Sequence, residues 1–465
     1  MTELLISGGT VVTEAGRFRA DIAVADGKIA AIGRDLGHAA AQRIDARGLH
    51  VLPGVIDVHV HFREPGMTQK EDWLTGSMAA MGGVTTVFEM PNTSPPVDTV
   101  AHFELKREAA SAKSVVDFGL YGVLAEDNVG ELEALIDAGV VGFKLFLGNT
   151  TGNLPCPSDG AVLEGFEILA RRGHRCSIHA ENSPILFWRE ERLKRAGRNS
   201  PRDHLLARTD VCALEALTKS CVLAEWTGAR IHIVHESSAL SLPYIQWFKS
   251  RGVDLTVETL PQYLYRSIED MEAMVDGHRL RMNPPIREAW QQEPLWQALA
   301  DGTIDMISTD HAPHAPEEKE GATIWDIACG FPGVESSLPL MLTAVAAGRL
   351  SLERYVQISS AAPARAFGLY GTKGVIAPGA DADLVLCDLA RRETLTSERL
   401  HSRGKLSAYA GMAVTGWPTM TIRRGEVIMA DGQLQAQPGS GQMVRPQMPA
   451  ATPRNTDKHL AMLTA

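Results

Sequence analysis

Between residue 53 and about residue 370 the chain alternates apolar runs with amphipathic stretches, and that rhythm constrains its fold more than any other feature. The runs predict strands at 55–61, 84–90, 116–123, 140–146, 175–180, 229–235, 252–259 and 303–310. Helical stretches such as Lys70–Met81 and Glu131–Ala138 separate most of them. Eight βα units over roughly 300 residues fit an α/β chain closed into a (β/α)8, TIM-like barrel, with its active site at the C-terminal strand ends. A doubly wound open sheet meets the same rhythm and stays as the alternative.

The flanks read differently. Residues 1–52 carry short strands, Leu4-Leu5-Ile6, Thr10-Val11-Val12, Ala20–Val24 and Ile29–Ile32, punctuated by Gly8-Gly9, Asp26-Gly27 and Gly33. The β pattern returns over 371–440 in Gly374-Val375-Ile376, Gly379–Leu386, Met420-Thr421-Ile422 and Glu426-Val427-Ile428. Two β-rich flanks around a barrel (53–370) predict one small β-sandwich domain built from both chain ends. Residues 441–465, rich in Pro, Gln, Gly and Thr, read as a tail or a partner-wrapping arm.

Composition narrows the function classes. The chain has 465 residues, 45% of them hydrophobic and 22% charged, and a formal net charge of −11. That is a soluble globular composition, and its sign argues against a nucleic acid or an acidic membrane as partner. Cys156, Cys176, Cys212, Cys221, Cys329 and Cys387 show no C-x-x-C spacing, so neither a disulfide framework nor a structural zinc site is expected. The N-terminus lacks a basic and then apolar leader, and no apolar run is long enough to span a bilayer. A cytoplasmic protein is the expectation.

The predicted strand ends carry the chemistry. The first ends in Asp57-Val58-His59-Val60-His61-Phe62-Arg63-Glu64-Pro65-Gly66. Residues two apart on a strand share a side, so His59 and His61 project together and can chelate one ion. The fourth holds Lys144 in an apolar run, the fifth ends at His179, the sixth at His235, and the eighth at Asp310-His311-Ala312-Pro313-His314. Each has a plainer reading: His179 as a core histidine, Lys144 as a paired lysine, Asp310 as a turn cap. His232, three residues before His235, faces the other side of its strand and reads as packing. Together, four histidines, a lysine and an aspartate suit two borderline ions such as Zn²⁺. A protonated lysine is a poor ligand. Lys144 as a carbamate, formed from its neutral amine and CO2, would be a bridging anion.

With these residues assembled, the chain resembles the cyclic amidohydrolase branch of the metal-dependent amidohydrolase superfamily over nearly its whole length. Within it, His59–Gly66, Met90-Pro91-Asn92-Thr93, Asn283-Pro284-Pro285-Ile286-Arg287 and Asp310–His314 resemble dihydroorotase. The resemblance implies that His59, His61 and Asp310 hold one metal and His179 and His235 the second, bridged by carboxylated Lys144. It implies Asp310 as general base and then acid. Arg63, Asn92 and His314 would hold a ring carboxylate, with Asn283 near the ring. Pro332 and Gly333, in the Gly330–Gly333 loop, would offer backbone groups, and Thr150 would belong to a mobile loop. A homodimer or homotetramer is expected on the same ground.

The expected reaction interconverts dihydroorotate and N-carbamoyl-L-aspartate, in pyrimidine biosynthesis. Departures bear on the substrate. Pro157-Ser158-Asp159-Gly160 has one aspartate where many dihydroorotases have two, and His179-Ala180-Glu181-Asn182 and Glu258–Tyr263 also resemble allantoinases and hydantoinases. Allantoin, a hydantoin or a dihydropyrimidine is the alternative substrate, and a non-catalytic homologue the alternative class. Arg63 paired to Glu64 or Glu71 at the surface is its plainer reading.

Overall fold

The computed structural model describes residues 2–37, 40–148, 151–152 and 154–448. Five strands open the chain: β1 (Thr2–Thr13), β2 (Gly16–Ala25), β3 (Lys28–Gly33), β4 (Ala40–Asp45) and β5 (His50–Pro53). The barrel strands follow as β6 (Val55–Val60), β7 (Val84–Glu89), β8 (Asp117–Leu124), β9 (Gly142–Phe146), β10 (Arg175–His179), β11 (Arg230–Ile233), β12 (Leu255–Thr259) and β13 (Met306–Ile307). Each overlaps one predicted strand. β14 (Leu384–Thr394), β15 (Ala413–Arg423), β16 (Glu426–Ala430) and β17 (Gln433–Leu434) complete the described strands.

β6 to β13 pair in parallel, in chain order. Every residue of β6, β7, β8, β9 and β10 is buried, as parallel strands covered on both faces require. The ring nearly closes where His61 N donates to His311 O at 2.7 Å, so the strand order is that of a barrel rather than an open sheet. β13 is shorter than its predicted 303–310 because Thr309 turns to Asp57 and Asp310 takes a left-handed φ of 45°.

The outer helices obey local capping rules. The helix predicted at Lys70–Met81 spans Trp73–Ala80, since Asp72 accepts from Thr75 N as its N-cap. Leu132–Ala138 ends on Gly139 at φ 108°, a left-handed cap that favours glycine.

The two chain ends join where β5 and β14 pair antiparallel, Leu52 opposite Val385. They form one nine-stranded sheet around a core that includes Ile6, Val11, Ile22, Leu384, Leu386 and Ile422. Two predicted details differ. Leu4–Ile6 and Thr10–Val12 belong to one strand, with Gly8-Gly9 as a bulge, because a Cβ on Gly9 would sit 2.8 Å from Val51 Cγ2. Gly374-Val375-Ile376 is a turn rather than a strand, pressed so close to the chain before it that a Cβ on Gly374 would meet Ser360 O at 2.5 Å. The first part of the expected arm lies on its own barrel: Val444 N donates to Phe118 O and Gln447 N to Gly368 O. No helix among the described residues is long and apolar enough to cross a membrane.

Candidate active site

At the C-terminal mouth of the barrel, β6 delivers His59 and His61 to Asp310, which follows β13. Asp310 Oδ1 lies 3.2 Å from His59 Nε2 and 3.1 Å from His61 Nε2. One ligand atom from each of these three buried residues falls within 4.8 Å of the others. The His235 ring is 5.3 Å from that of His59 and 4.6 Å from that of His179, so the histidines of β6, β10 and β11 form one continuous cluster. His235 and Asp310 both hold left-handed φ angles, 42° and 45°. Such backbone strain in non-glycine residues concentrates at functional sites.

Lys144 completes the cluster. Its Nζ is buried and has no hydrogen-bond partner, and burial lowers its pKa to about 8 against the pull of Glu258 and Asp310. Burial likewise lowers His59 to about 4, and His61 and His235 well below the ordinary histidine value. Neutral imidazoles around an unpaired amine form a donor set in want of a cation. A divalent metal fits it, and a carbamate on Lys144 would turn the one unsuitable group into a ligand.

Two carboxylates behind the histidines were not picked out as site residues from the sequence. Glu258 Oε1 lies 2.6 Å from His59 Nδ1 and Oε2 3.0 Å from His232 Nε2, while Ser308 Oγ and His235 N also donate to Glu258. Glu181, paired to Arg208, stands 2.8 Å from His179 Nε2. Each therefore selects the nitrogen left for a ligand, Nε2 of His59 and Nδ1 of His179, as carboxylates behind metal-bound histidines do. The sequence signal was an acidic residue in or just past an apolar strand, Glu258 within β12 and Glu181 two residues beyond the end of β10. His232 is buried as expected, but it serves as a donor to Glu258 rather than as packing alone.

The expected substrate residues divide. Arg63, Asn92 and Asn283 line one small cavity with His61, Asp310, Cys329 and Gly330. Arg63 is buried, not paired at the surface: Nε donates to Pro313 O at 3.2 Å, and Nη1 has no partner. Asn92 Nδ2 donates to Thr151 O at 2.8 Å. His314 stands behind Arg63 with both nitrogens engaged, Nε2 with Cys329 O at 3.0 Å and Nδ1 with Lys70 Nζ at 3.2 Å. The loop reaches the cavity through Cys329 and Gly330, not through Pro332 or Gly333, and Gly333 N is spent on His311 Nδ1 at 3.2 Å. Thr150 lies outside the described residues.

Residues 50–428 match the amidohydrolase family. The chain belongs to that family. This amidohydrolase is 40% identical to an allantoinase of Rubrobacter xylanophilus over 449 residues, 96% of this chain and 98% of that one. It is 36% identical to an L-hydantoinase of Paenarthrobacter aurescens, over 96% of this chain and 98% of that one. The solved L-hydantoinase (dihydropyrimidinase) from Arthrobacter aurescens superposes with a TM-score of 0.93 at 36% identity, covering 96% of this chain and 100% of that one. The likeness read from the motifs thus holds for the cyclic amidohydrolase branch. Its narrowing to dihydroorotase gains no support, because these relatives are named allantoinase and hydantoinase.

Proposed function

We propose that this amidohydrolase opens a ring amide of a cyclic ureide, with allantoin (a hydantoin bearing a ureido group) as the first substrate and other substituted hydantoins next. One observation carries the choice. Of the three groups expected to clamp a carboxylate, His314 offers nothing, since both its nitrogens are engaged, which leaves Arg63 Nη1 and the second hydrogen of Asn92 Nδ2. Without the third contact, these donors suit carbonyl acceptors on the ring and its substituent better than a full anion, which needs several donors, and the relatives named allantoinase and L-hydantoinase support the same choice. Dihydroorotate stays as the second reading, because Arg63 carries a charge that a ring carboxylate would neutralise.

His59, His61 and Asp310 would hold one divalent metal, zinc in this reading. His179 and His235 would hold the second, with carboxylated Lys144 shared between them. Carboxylation forms an N–C bond from the neutral Lys144 amine to CO2 and releases one proton. Bound metal would supply a lowered water pKa and a polarised ring carbonyl. Asp310 then takes the proton from the attacking water and returns it to the ring nitrogen as the C–N bond breaks. Burial raises the pKa of Asp310, which suits a carboxylate that must accept a proton and give it up again. Glu258 and Glu181 keep His59 and His179 oriented throughout.

A turnover panel of allantoin, hydantoin, dihydrouracil and dihydroorotate on zinc-loaded protein tests the reading. Allantoin or a hydantoin turned over faster than dihydroorotate is the expected result. Dihydroorotate alone as substrate would replace it with the second reading.

The homodimer or homotetramer also stays a proposal. Trp188, Trp226 and Trp247 are 69%, 53% and 52% exposed on the helices Ser183–Arg195, Asp210–Thr227 and Leu242–Ser250, large apolar groups suited to contact with a second copy of the chain. Sedimentation of Trp188→Glu beside the parent would show whether these groups hold the copies together.

A further inference from the structure

Asn283 lines the cavity, yet a residue outside the cavity decides which end of its amide the substrate meets. His204, on the short helix Pro201–Ala207 that follows the helix after β10, places its Nε2 3.0 Å from Asn283 Oδ1. His204 is buried, and neither it nor its helix lines the cavity. We propose that His204 is a positioning residue for substrate recognition: its Nε2–H holds Asn283 Oδ1 and thereby turns the Asn283 amino group toward the ring of the substrate.

The surroundings of His204 fix the direction of this bond. Burial keeps the imidazole neutral, and Arg281, Arg208 and Lys319 nearby oppose any added charge. A neutral imidazole has one N–H and one lone pair. Asn283 Oδ1 can only accept, so the one proton of this neutral ring sits on Nε2, the nitrogen that meets the amide oxygen. The opposite end of the amide, Nδ2, makes no hydrogen bond among the described residues, so it is free to donate. The turn is held from its other side as well, where Tyr263 donates its hydroxyl to Pro284 O at 2.9 Å. Asn283 therefore has little freedom except rotation of its own amide, and His204 removes that.

The consequence is a polarity for the cavity. Arg63 Nη1 and Asn283 Nδ2 would both be donors, so a ligand must bring two acceptors to them, such as a ring carbonyl and a substituent carbonyl. A flipped Asn283 would present an acceptor instead, and a ring carbonyl would meet it with repulsion. This inference rests on the cyclic-ureide reading for what the ligand is. It does not rest on it for which atom His204 holds.

Two measurements test it. The first is imidazole ¹⁵N NMR of histidine-labelled protein, wild type and Asn283→Ala. An Nε2-protonated His204 whose resonance shifts in Asn283→Ala is expected. An Nδ1-protonated His204 would overturn the proposal, whatever the substrate proves to be.

The second is a double-mutant cycle with His204→Leu and Asn283→Ala on the ring the wild type turns over best. His204→Leu should lower kcat/KM about tenfold, chiefly through KM, as expected for one lost hydrogen bond. In the Asn283→Ala background the same change should cost less than about twofold. His204→Gln, which restores an N–H donor, should recover most of the loss and covers the case in which the leucine variant folds poorly. Equal losses in both backgrounds would overturn the role of His204. A wild type active on no ring would overturn the ureide reading alone, and the NMR result would still decide what His204 does.

Discussion

His59 Nδ1 lies 2.6 Å from Glu258 Oε1, and this contact determines that Nε2, not Nδ1, meets Asp310. Burial works against the charge of Glu258, but His59 and His232 hold its pKa below the ordinary carboxylate range, so it remains an anion. Glu258→Gln would confront His59, His232 and Ser308 with an amide that cannot accept from all three. The expected result is a loss of about 10–100-fold in metal affinity, the usual effect of removing a carboxylate behind a ligating histidine. Competition with a chelator measures it; unchanged affinity would reduce Glu258 to a packing group.

Asp310→Asn keeps the size of the side chain and removes its capacity to take a proton. Turnover should fall by about 10²–10⁴-fold, while the melting temperature stays near that of the parent. Near-native rates in steady-state assays would take the acid–base role away from Asp310.

Lys144 Nζ is buried without a hydrogen-bond partner, with only the Phe146 ring 5.3 Å away to receive it, which is costly for an amine that stays an amine. Lys144→Ala should therefore leave a fold that binds less metal per chain, with part of the activity restored by a small carboxylic acid able to enter the vacated space. Metal content by elemental analysis and electron density at Nζ in the parent decide the matter. Density ending at Nζ, together with full metal content in the variant, would remove the carbamate.

What the sequence made legible followed from short-range rules. Each barrel strand lies where an apolar run stood, and His59, His61, Lys144, His179, His235 and Asp310 met at one mouth because parallel strands in a barrel all end there. The substrate side was harder to read, because it depends on which hydrogen-bonding atoms are already spent. Nothing in the spacing of His314 announces that Cys329 O and Lys70 occupy its two nitrogens. Nor does Glu258, a single acidic residue in β12, reveal that four donors converge on it. Lys373 was invisible for the same reason: Asp117, the partner that ties it to the barrel, lies 256 residues away in the sequence.

Lys373 joins the barrel to the outer sheet. Its Nζ lies 2.8 Å from Asp117, 2.6 Å from Asp383 and 3.1 Å from Asp381. Burial opposes its charge, yet Asp383, Asp117 and Asp381 together raise its pKa above the ordinary lysine value. A raised folded-state pKa means that this contribution is complete below the unfolded lysine value, about 10.4, and is lost only as pH climbs through the folded one. Lys373→Met should cost about 3–5 kcal/mol at neutral pH, since it strands the buried carboxylate of Asp383, while Asp117 keeps Arg424 and Asp381 keeps Lys28. Burial already raises the pKa of Asp383, and loss of Lys373 would raise it further above the unfolded value, so the variant should regain stability as pH falls toward 5. Denaturant melts at pH 5 and pH 7.5 give the sign; a deficit that grows on acidification would contradict it.

Arg63 separates the candidate substrates. Its guanidinium is buried, and burial lowers its pKa to about 10 while leaving it charged at neutral pH. Arg63→Met removes the unpartnered Nη1 and leaves the neighbouring metal-site residues in place. For a ring whose substituent reaches Nη1, the loss in kcat/KM should correspond to about 2–5 kcal/mol. For unsubstituted hydantoin, which has nothing to offer that nitrogen, it should be small. Comparing allantoin, dihydroorotate and hydantoin on parent and variant separates these cases. If the loss is large for dihydroorotate and slight for allantoin, a carboxylate is the natural occupant, and the ureido group was the wrong choice of acceptor. If all three fall equally, Arg63 shapes the mouth of the barrel rather than reading the substrate, and the choice among rings must come from Asn283 and the Cys329-Gly330 wall.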